Sequence, residues 1–571
     1  MFKFLKAVLF YEIIVIKEKL SFFHYLFKNI SIVNFFLFLT DRTKYNPFKQ
    51  SEFINFIYQN KRKWLSHKKI YNNKFILVES FINHPAYTLS NAASAFMLSK
   101  AKNLELLGLV RKNDFKSELI LRSFGCKKII FYNRPNFFSR LWYLIKSIKI
   151  IGNKKKLDEV TKIKINGVDI GLIAYDTYIR YKYNPSLQFV NSHYLIYFAQ
   201  ALYSQNFIDK IIKEKQIKIL VQSETQYVPL SIFFQSCLKN NIQIFTRSGL
   251  ESFTLRHYKN WNQRYLYRAT VSQRLFDFVN KSYKKNAINM IKKIYKKKLK
   301  NNSFGVDDVI LGLGNNNYKS LKQEIKNRKK NVIFYLSHLL DGNFVYGPRK
   351  HFKDVYTGTK FIINQLPKLN KVNWYIKKHP NHDYLRSNFD FTDILKDYEK
   401  KYKNITLLDD KISPTSLLNM ADVGLTLSGT VGVEYPALGK QCIFIENTYY
   451  SNLEFFKKID TKKNLLKTLK NLHKSKKPSK KLIEKCLIYL FIKDVLLRNR
   501  CYLIPEYIPS RKLDENFFWK KASKNLKKFS FEKDEFYRML IKQLELKLRH
   551  TINFTRIKKA KKIFNDYNEI R

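Results

Sequence analysis

Short apolar runs alternate with longer segments of helical periodicity along most of the chain. In the first half the runs cover residues 75–78, 128–132, 217–221 and 242–245. Between the first two runs, the spacing of apolar positions predicts a helix that continues to about Leu107, and residues 230–238 predict another. Parallel βαβ units produce this alternation, because parallel strands need a crossover connection. The first half is therefore predicted to be an α/β unit.

The same alternation returns in the second half. Apolar runs cover residues 332–336, 374–377, 405–408, 423–427 and 442–445. Three helices are predicted: one at residues 359–366, one that begins at Ser413, and one that ends at Leu438. Lysine-rich residues 284–300 and the polar triplet after them contribute little to a core and mark a boundary. The predicted segments are a helical, aromatic and basic extension at 1–70, α/β units at 71–300 and 301–460, and a lysine-rich helical tail at 461–571.

Two uncharged or apolar stretches raise the question of a membrane. Residues 1–40 are rich in Phe, Ile and Leu, but lysines interrupt them before about 18 apolar residues accumulate, so neither a signal peptide nor a spanning helix is predicted. Helices with aromatic faces and lysines between them suit either core packing or a membrane surface. Residues 80–99 contain His84, Pro85 and Asn91, and are predicted to be a loop that enters a buried helix.

Composition adds a strong positive charge to this picture. The chain has 571 residues, with 107 Lys and Arg against 45 Asp and Glu, and a net charge of +62. Such a balance favours an anionic partner, either nucleic acid or an anionic membrane surface. The lysines are spread along the whole chain, which A/T-rich codons also produce. Five widely separated cysteines predict neither a disulfide framework nor a zinc site, and they fit the cytosol.

A strand, a turn of small residues and a short helix are predicted over residues 421–440. Ser428, Gly429 and Thr430 fall where the helix begins, so backbone N–H groups and two hydroxyls converge on one point. The helix dipole favours an anion there, which predicts a phosphate site. The alternative is that the two hydroxyls only cap the helix. Glu434 lies one turn further along at the same mouth, where it is a candidate to bind a ribose or sugar hydroxyl.

A second candidate lies where the predicted strand at residues 374–377 ends. His379 follows it closely, and Pro380 restricts this histidine to an extended conformation. A histidine at the carboxyl end of a parallel strand projects into the crevice where open α/β sheets bind ligands, and it can donate a hydrogen bond to a phosphate. His382 and Asp383 follow, but no cluster with recognisable metal-ligand spacing is completed, and no metal is predicted.

These two segments resemble the HP and serine motifs of bacterial capsule polysaccharide glycosyltransferases, the group that includes Kdo transferases and polysialyltransferases. Residues 334–342, FYLSHLLDG, are similar to that family's loop after the first strand of the nucleotide-binding domain. The resemblance is best over residues 332–446. At residues 71–247 it is limited to the order of predicted strands and helices. It implies a GT-B-like α/β fold, with two Rossmann-like domains facing a cleft and helical extensions at both ends. One departure is that Gly429 separates two hydroxyl residues that are commonly adjacent in the family.

The resemblance also implies which residues bind the donor. In this family the HP histidine and the hydroxyls of the later motif bind the phosphate of an activated sugar. By position these are His379, Ser428 and Thr430, with Glu434 as the acidic residue that follows. The whole implied donor site comprises His338, Asp341, Lys378, His379, Pro380, Ser428, Gly429, Thr430 and Glu434. The nucleotide sugar is a co-substrate, and neither a cofactor nor a metal is implied.

A transferase also needs a base that takes the proton of the acceptor hydroxyl. Asp176 lies in residues 170–180, which resemble a recurrent segment of the capsule-type proteins, and Glu224 follows the predicted strand at 217–221. These two carboxylates are equal candidates, and Glu79, at another strand end, ranks below them. The alternative for each is a helix cap or a partner for a lysine. The third candidate catalytic residue is His379, which acts on the departing phosphate.

The sequence therefore predicts a cytoplasmic glycosyltransferase that moves a sugar from a nucleotide-sugar donor to a capsular or other surface polysaccharide, or to a lipid-linked acceptor. A CMP-linked acidic sugar is one candidate donor. Peripheral association with the anionic inner face of the membrane is a separate expectation from the first forty residues, and no specific nucleic acid is expected. Two alternatives stay open: a CDP-polyol phosphotransferase of teichoic-acid type, and a non-catalytic basic module that binds nucleic acid or anionic lipid.

Overall fold

The structure is a computed structural model in which the chain forms two β-sheets covered by helices. It describes residues 2–42, 44–65, 73–82, 84–154, 156–182, 184–248, 252–267, 269–300, 329–379, 389–409, 412–456, 458–505 and 514–557. Parallel pairing dominates in both sheets. The predicted mixed α/β class is confirmed at this level.

The strands divide into a first sheet of seven and a second sheet of five. In chain order the described strands are β1 (Lys74–Ser80), β2 (Glu105–Arg111), β3 (Lys128–Tyr132), β4 (Gln216–Gln222), β5 (Gln243–Ser248), β6 (Ser252–Tyr258), β7 (Asn331–Tyr335), β8 (Asn373–Lys377), β9 (Ile405–Leu407), β10 (Val423–Thr426), β11 (Gln441–Phe444) and β12 (Asn499–Arg500). The first sheet has the order β12-β6-β5-β4-β1-β2-β3, and the second has the order β11-β10-β7-β8-β9. Among these strands, the antiparallel pairs are those of β6 with β5 on one side and with β12 on the other.

Helices connect the strands and cover both sheets. In chain order the described α-helices are α1 (Phe2–Asn29), α2 (Ile32–Thr40), α3 (Ser51–Leu65), α4 (Pro85–Lys102), α5 (Phe115–Ser123), α6 (Phe137–Ile151), α7 (Leu157–Val160), α8 (Ile170–Lys182), α9 (Ser192–Glu214), α10 (Leu230–Lys239), α11 (Gln273–Ser282), α12 (Lys284–Lys300), α13 (Val355–Ile363), α14 (Thr392–Lys401), α15 (Pro414–Met420), α16 (Val431–Ala437), α17 (Lys462–Lys470), α18 (Lys480–Phe491), α19 (Glu515–Lys528) and α20 (Glu535–Glu545). In the described part of the chain, no helix combines the length and the apolarity that crossing a membrane requires.

The apolar runs become strands because both faces of each sheet are buried. On β1, Ile76 and Val78 pack into one cluster with residues of α4 and α5, while Phe75 and Leu77 pack on the other face with residues of α9 and α10. Successive side chains of a strand point to opposite faces, so a strand covered on both sides needs a continuous apolar run. This is why the nine predicted strand runs are found as strands.

One predicted helix boundary is wrong. The helix predicted to reach Leu107 ends at Lys102, because Asn103 adopts the left-handed conformation with φ 54° and ends α4. Residues 105–111 form β2 between β1 and β3. Leucine favours helices in isolation, but the place between two strands decides the conformation here. The predicted buried helix within residues 80–99 is confirmed by α4, most of which is buried.

Segments from both ends of the chain pack on the first sheet. The rings of Phe53 on α3 and Trp519 on α19 lie 4.9 Å apart, centroid to centroid, in the cluster that also contains Ile76. In the tail, α18 joins the cluster of the second sheet that contains Ile333. The four-segment division of the chain stays a prediction.

Candidate functional site

The carboxyl ends of adjacent parallel strands bring three predicted residues to one edge of the second sheet. His338 follows β7, His379 follows β8 and Ser428 follows β10, and β7 lies between the other two strands. The direction of the strand order reverses between β7 and β10. Open α/β sheets bind ligands outside the carboxyl ends of their strands at such a switch point. This edge, from His379 to Ser428, is called the donor edge below.

His338 and His379 form an edge-to-face pair at the donor edge. Their ring centroids are 5.6 Å apart and their planes cross at 87°. His338 is buried, and its Nδ1 accepts a hydrogen bond from the backbone N–H of Leu340 at 3.1 Å. Because a nitrogen of neutral imidazole that accepts a hydrogen bond carries no proton, Nε2 of neutral His338 is the protonated nitrogen. His379 is half-buried. The two imidazoles are therefore held together at the ends of neighbouring strands.

Of two other residues in the predicted HP segment, Lys378 is described by the structure and Pro380 is not. Lys378 Nζ lies 3.8 Å from Asp390 Oδ2, so this lysine has a carboxylate partner next to the donor edge. Pro380, and with it His382 and Asp383, lies outside the described residues. The donor-binding roles of Lys378 and Pro380 stay predictions.

The turn between β10 and α16 is fixed through its backbone. Gly429 N donates to Thr426 Oγ1 at 3.1 Å, and the Gly429 carbonyl accepts from the Tyr450 hydroxyl at 2.6 Å. Thr430 is the N-cap residue of α16, yet its side chain makes no capping hydrogen bond. Within the described residues the hydroxyls of Ser428 and Thr430 have no hydrogen-bond partner, so capping does not account for them. Both side chains are half-buried at the donor edge.

Glu434 lies one turn into α16, as predicted from its spacing. Its side chain is buried, and its Oε1 accepts a long hydrogen bond of 3.5 Å from the Tyr295 hydroxyl of α12. This contact directs the carboxylate towards α12. Its proposed contact with a ribose or sugar hydroxyl stays a prediction.

Glu446 is a buried carboxylate at the same edge that the sequence reasoning missed. It follows β11, and its two oxygens accept hydrogen bonds from the backbone N–H groups of Lys350, His351 and Phe352 at 2.7, 3.0 and 3.2 Å. It therefore holds the end of the loop that runs from β7 to α13. The signal that identifies it in the sequence is an acidic residue directly after a predicted strand, here the run at residues 442–445.

Asp176 lies on α8 with 5% of its surface exposed. Burial raises the pKa of its carboxyl to about 8, and the negative charges of Asp341 and Glu224 act in the same direction. The positive charges of Arg349 and Arg180 lower this pKa in part. Its Oδ1 is buried and has no hydrogen-bond partner among the described residues. A carboxyl with this pKa exchanges a proton close to neutral pH, which suits a general base.

The other two carboxylates of the first half are held by local hydrogen bonds. Glu224 Oε1 accepts from the backbone N–H of Thr225 at 3.0 Å and from Gln226 Nε2 at 3.4 Å. Glu79 is fully buried and accepts from both the backbone N–H and the hydroxyl of Ser223, at 3.1 and 3.0 Å. Burial raises the pKa of Glu79. Glu79 thus joins the ends of β1 and β4, while Glu224 lies close enough to influence Asp176.

The loop after β7 makes direct contacts with the first half of the chain. Asp341, one of the predicted donor-site residues, pairs with Arg180 of α8 at 3.3 Å and accepts a hydrogen bond from the Tyr227 hydroxyl at 2.8 Å. Gly342 N donates to the same Tyr227 oxygen at 3.1 Å. Asp341 therefore links the halves in this structure, and its predicted contact with a donor stays untested.

Arg349 is a second residue that the sequence reasoning missed. Burial lowers the pKa of its guanidinium, and the charges of Glu446, Asp354 and Asp176 raise it in turn. The charges of three carboxylates from different parts of the chain therefore act on this arginine. A small cavity beside Asp176 is lined in part by Gln226, Arg264, Tyr265 and Phe344.

Comparison with known proteins gives limited similarity. No protein-family model matches the chain, and no curated protein matches it. Two KpsC structures from Thermosulfurimonas dismutans are similar to the chain. The beta Kdo 2,4 transferase has 11% identity and a TM-score of 0.30, over 50% of this chain and 82% of its own. The beta Kdo 2,7 transferase has 12% identity and a TM-score of 0.31, over 56% of this chain and 90% of its own. The wall teichoic acid polymerase TagF has 12% identity and a TM-score of 0.18, over 78% of this chain and 93% of its own. Similarity at these TM-scores does not by itself indicate a function for this chain.

Proposed function

We propose that the chain is a glycosyltransferase that moves a sugar from a nucleotide-sugar donor to a capsular or other surface polysaccharide, or to a lipid-linked acceptor. The observation that carries the proposal is the edge-to-face pair of His338 and His379 next to the turn at Ser428, at a switch point of a parallel sheet. This combination provides imidazole and hydroxyl donors where the fold binds ligands.

The donor phosphate is proposed to lie along the donor edge. Phosphate oxygens accept hydrogen bonds from imidazole N–H groups and from hydroxyls such as those of Ser428 and Thr430. In the transfer step, the bond between the anomeric carbon and the phosphate oxygen breaks, and its electron pair stays with the leaving phosphate. Hydrogen-bond donors that are already aimed at that developing charge lower the barrier. We assign this role to His379.

Asp176 is the proposed base. Its carboxylate takes the proton of the acceptor hydroxyl while the hydroxyl oxygen bonds to the anomeric carbon. A base with a pKa of about 8 has enough affinity for this proton and is still ionised in part near neutral pH. Arg349 and Arg180 favour the ionised form. Glu224, which is near enough to interact with Asp176, stays the alternative base.

The proposal includes a finer architecture and setting. The two sheets are taken as the Rossmann-like halves of a GT-B-like fold that face a cleft, with helical extensions at both ends of the chain. The contacts of Asp341 with Arg180 and Tyr227 support this arrangement, because they join the halves close to Asp176. The reaction is proposed to need no metal and no resident cofactor, to take place in the cytoplasm, and to use a CMP-linked acidic sugar as its first candidate donor.

The test is a thermal-shift titration of the full chain with CMP, CDP, UDP and GDP, alone and as sugar conjugates. A ligand that binds only the folded state stabilises it, by about 2.7 kcal/mol at 100 times its Kd. We expect one nucleotide class to raise the melting temperature of the wild type, and His379→Ala to abolish the rise. His473→Ala is the matched control: this half-buried histidine precedes Ser475, whose carbonyl accepts from Lys330 at the opposite, amino-terminal edge of the sheet.

The outcomes separate the proposed reaction from its alternatives. No response to any nucleotide, or an equal loss in both variants, contradicts the donor site. Phosphodiesters in the product identify a CDP-polyol phosphotransferase instead. Nucleic acid or anionic lipid binding that falls steeply with salt, without a nucleotide response, identifies a basic binding module.

A further inference from the structure

Exposed apolar side chains are concentrated on three helices. In the described part of the chain, 17 of the 22 large apolar side chains that are exposed lie on α1, α2 and α6. They are Leu5, Leu9, Ile13, Ile16, Leu20, Phe23 and Phe27 on α1, Ile32, Val33, Phe36, Leu37 and Leu39 on α2, and Phe137, Phe138, Trp142, Ile145 and Ile148 on α6. We call these 17 side chains together the outer face. Large apolar side chains that are exposed in such a concentration on a folded chain indicate an interaction surface.

The exposed residues of α1 form one narrow stripe. They are spaced by three or four residues throughout, so at about 100° per residue they stay on one side of the helix. The opposite side is buried, where Ala7, Tyr11 and Val15 pack in the cluster that contains residues of α8 and α9. From Leu5 to Phe27 the stripe is about 33 Å long, at 1.5 Å per residue. Because the buried residues of α1 lie on this opposite side, the stripe is not needed for the core.

Lysines flank this stripe on both sides. From helix geometry, Lys6 and Lys17 lie on one flank and Lys19 lies on the other. All three are exposed. This is the distribution of an amphipathic helix that lies in the plane of a membrane surface, with its apolar side in the acyl boundary and its lysines at the headgroups.

Two ion pairs hold α6 beside α1. Glu12 pairs with Arg140, and Glu18 pairs with Arg134. These two glutamates are the acidic residues of α1. Arg140 on α6 neutralises Glu12, and Arg134, which precedes α6, neutralises Glu18, so the flanks keep their positive charge. The two stripes therefore lie on neighbouring helices with basic residues around them.

The stripe of α6 repeats the same chemistry. Phe138 is 78% exposed and Trp142 is 53% exposed. Lys146 Nζ lies 4.7 Å from the centroid of the Trp142 ring. Tryptophan and lysine both combine an apolar body with a polar tip, which suits the boundary between headgroups and acyl chains.

We propose that the outer face docks flat on an anionic phospholipid bilayer. The basic flanks decide between possible occupants: anionic headgroups complement them, whereas a second copy of the chain would bring lysines against lysines. Its shape also fits, because a stripe of about 33 Å along one helix matches a planar surface. The proposal stands independently of the sugar transfer proposed above.

The test is flotation of the full chain with vesicles of phosphatidylcholine alone and of phosphatidylcholine mixed with phosphatidylglycerol. The variant Phe27→Ser with Phe138→Ser removes one aromatic ring from each stripe. The matched control is Phe189→Ser with Phe517→Ser, two exposed phenylalanines outside the outer face, 56% and 63% exposed. We expect the wild type and the control to float with the mixed vesicles, and the variant to bind at least about tenfold more weakly, because two large apolar side chains no longer leave water.

Thermal unfolding verifies that both double variants keep the fold, which exposed positions permit. Absence of the wild type from both floating fractions, or equal binding by variant and control, overturns the proposal. Binding that is the same with neutral and mixed vesicles overturns its electrostatic part. If light scattering shows a dimer that the variant converts to a monomer while vesicles are not bound, the outer face joins two copies instead. Truncation before residue 71 is not a usable test, since Phe38 and Phe53 belong to the core.

Discussion

The Tyr175 hydroxyl donates a hydrogen bond to Asp354 Oδ2 at 2.5 Å, and both side chains are buried. Asp354 is the N-cap of α13, where its other oxygen accepts from the backbone N–H of Thr357 at 2.7 Å. Tyr175 directly precedes Asp176 on α8. The bond therefore ties the helix that carries the proposed base to the end of the loop that begins at the donor edge.

Tyr175→Phe removes this tie while keeping the ring. Ser186 still donates to the same Asp354 oxygen at 2.6 Å, so we expect a loss of about 1–2 kcal/mol in the free energy of unfolding, measured with urea. If the tie also positions Asp176, the kcat of the proposed transfer falls more than KM changes, and the pH midpoint of kcat moves. Tyr258→Phe, which removes a buried hydroxyl that donates to the Leu266 carbonyl at 2.8 Å, is expected to lower stability without moving that midpoint. The same midpoint in both variants contradicts a positioning role for Tyr175.

Asp176→Asn is expected to change how stability depends on pH. In the unfolded chain this carboxyl ionises near its ordinary pKa of 3.8, whereas burial raises the pKa in the folded chain to about 8. Between these values the unfolded state releases a proton that the folded state keeps, so the stabilising contribution present at low pH is lost as pH rises through 8. Asparagine has no such proton, and the stability of the variant relative to the wild type rises across this window by at most about 1.4 kcal/mol per pH unit. Urea unfolding of both proteins across the window measures this difference. A difference that does not change with pH contradicts the raised pKa.

The same pKa predicts the pH dependence of the proposed reaction. If Asp176 is the base, only its ionised form accepts the proton, so kcat/KM rises with pH and levels off above about 8. Asp176→Asn then lowers kcat by about 10²–10⁴-fold, the usual contribution of general base catalysis. Glu224→Gln is the comparison variant, because Glu224 is the alternative base. Retained activity in Asp176→Asn together with its loss in Glu224→Gln assigns the base to Glu224.

The sequence was sufficient for the parts of the fold that depend on local patterns. Strands such as β1 and β7 are buried on both faces, so their continuous apolar runs identify them. His338, His379 and Ser428 lie at one edge because each follows the carboxyl end of a parallel strand. The apolar runs predict those strand ends, whereas the strand order that makes them neighbours is known from the structure. The two residues of β12 could not be found in this way, because they pair with β6 from a distant part of the chain.

Parts of the site depend on contacts that sequence spacing does not reveal. Glu446 accepts hydrogen bonds from backbone groups 94 to 96 residues earlier in the chain, and carboxylates from three separate segments influence the pKa of Arg349. The bond from Tyr175 to Asp354 spans 179 residues. The bond from Tyr175 to Asp354 follows from how the two halves pack, whereas the Glu446 contacts form within the second half. The residue types involved fit many surface positions equally well. The chemical roles of the predicted site residues stay predictions.

Glu446→Gln tests whether the carboxylate organises the loop after β7. Glutamine offers one oxygen where Glu446 offers two, and its amide N–H groups then face backbone N–H groups. Because a buried donor is left unsatisfied, we expect a loss of about 1–3 kcal/mol in the free energy of unfolding. Nucleotide binding is expected to weaken as well, since the loop carries His338. Glu454→Gln is an unrelated control whose side chain takes no part in this loop. Wild-type stability in Glu446→Gln contradicts the assigned role.

Gly432→Ala tests how tightly the turn at the donor edge is packed. An added Cβ at position 432 would collide with the Tyr450 hydroxyl, which holds the Gly429 carbonyl at 2.6 Å. Overpacking of this kind costs about 1–3 kcal/mol, and the displaced hydroxyl also releases the turn between Ser428 and Thr430. Tyr450→Phe removes the colliding oxygen, so the double variant is expected to lose at least about 0.5 kcal/mol less than the two single variants together. Combining Gly432→Ala with Tyr258→Phe, at a separate place in the first sheet, is expected to be additive. Additivity in both double variants would mean that the Tyr450 hydroxyl does not limit the space at Gly432, and that another contact fixes the turn.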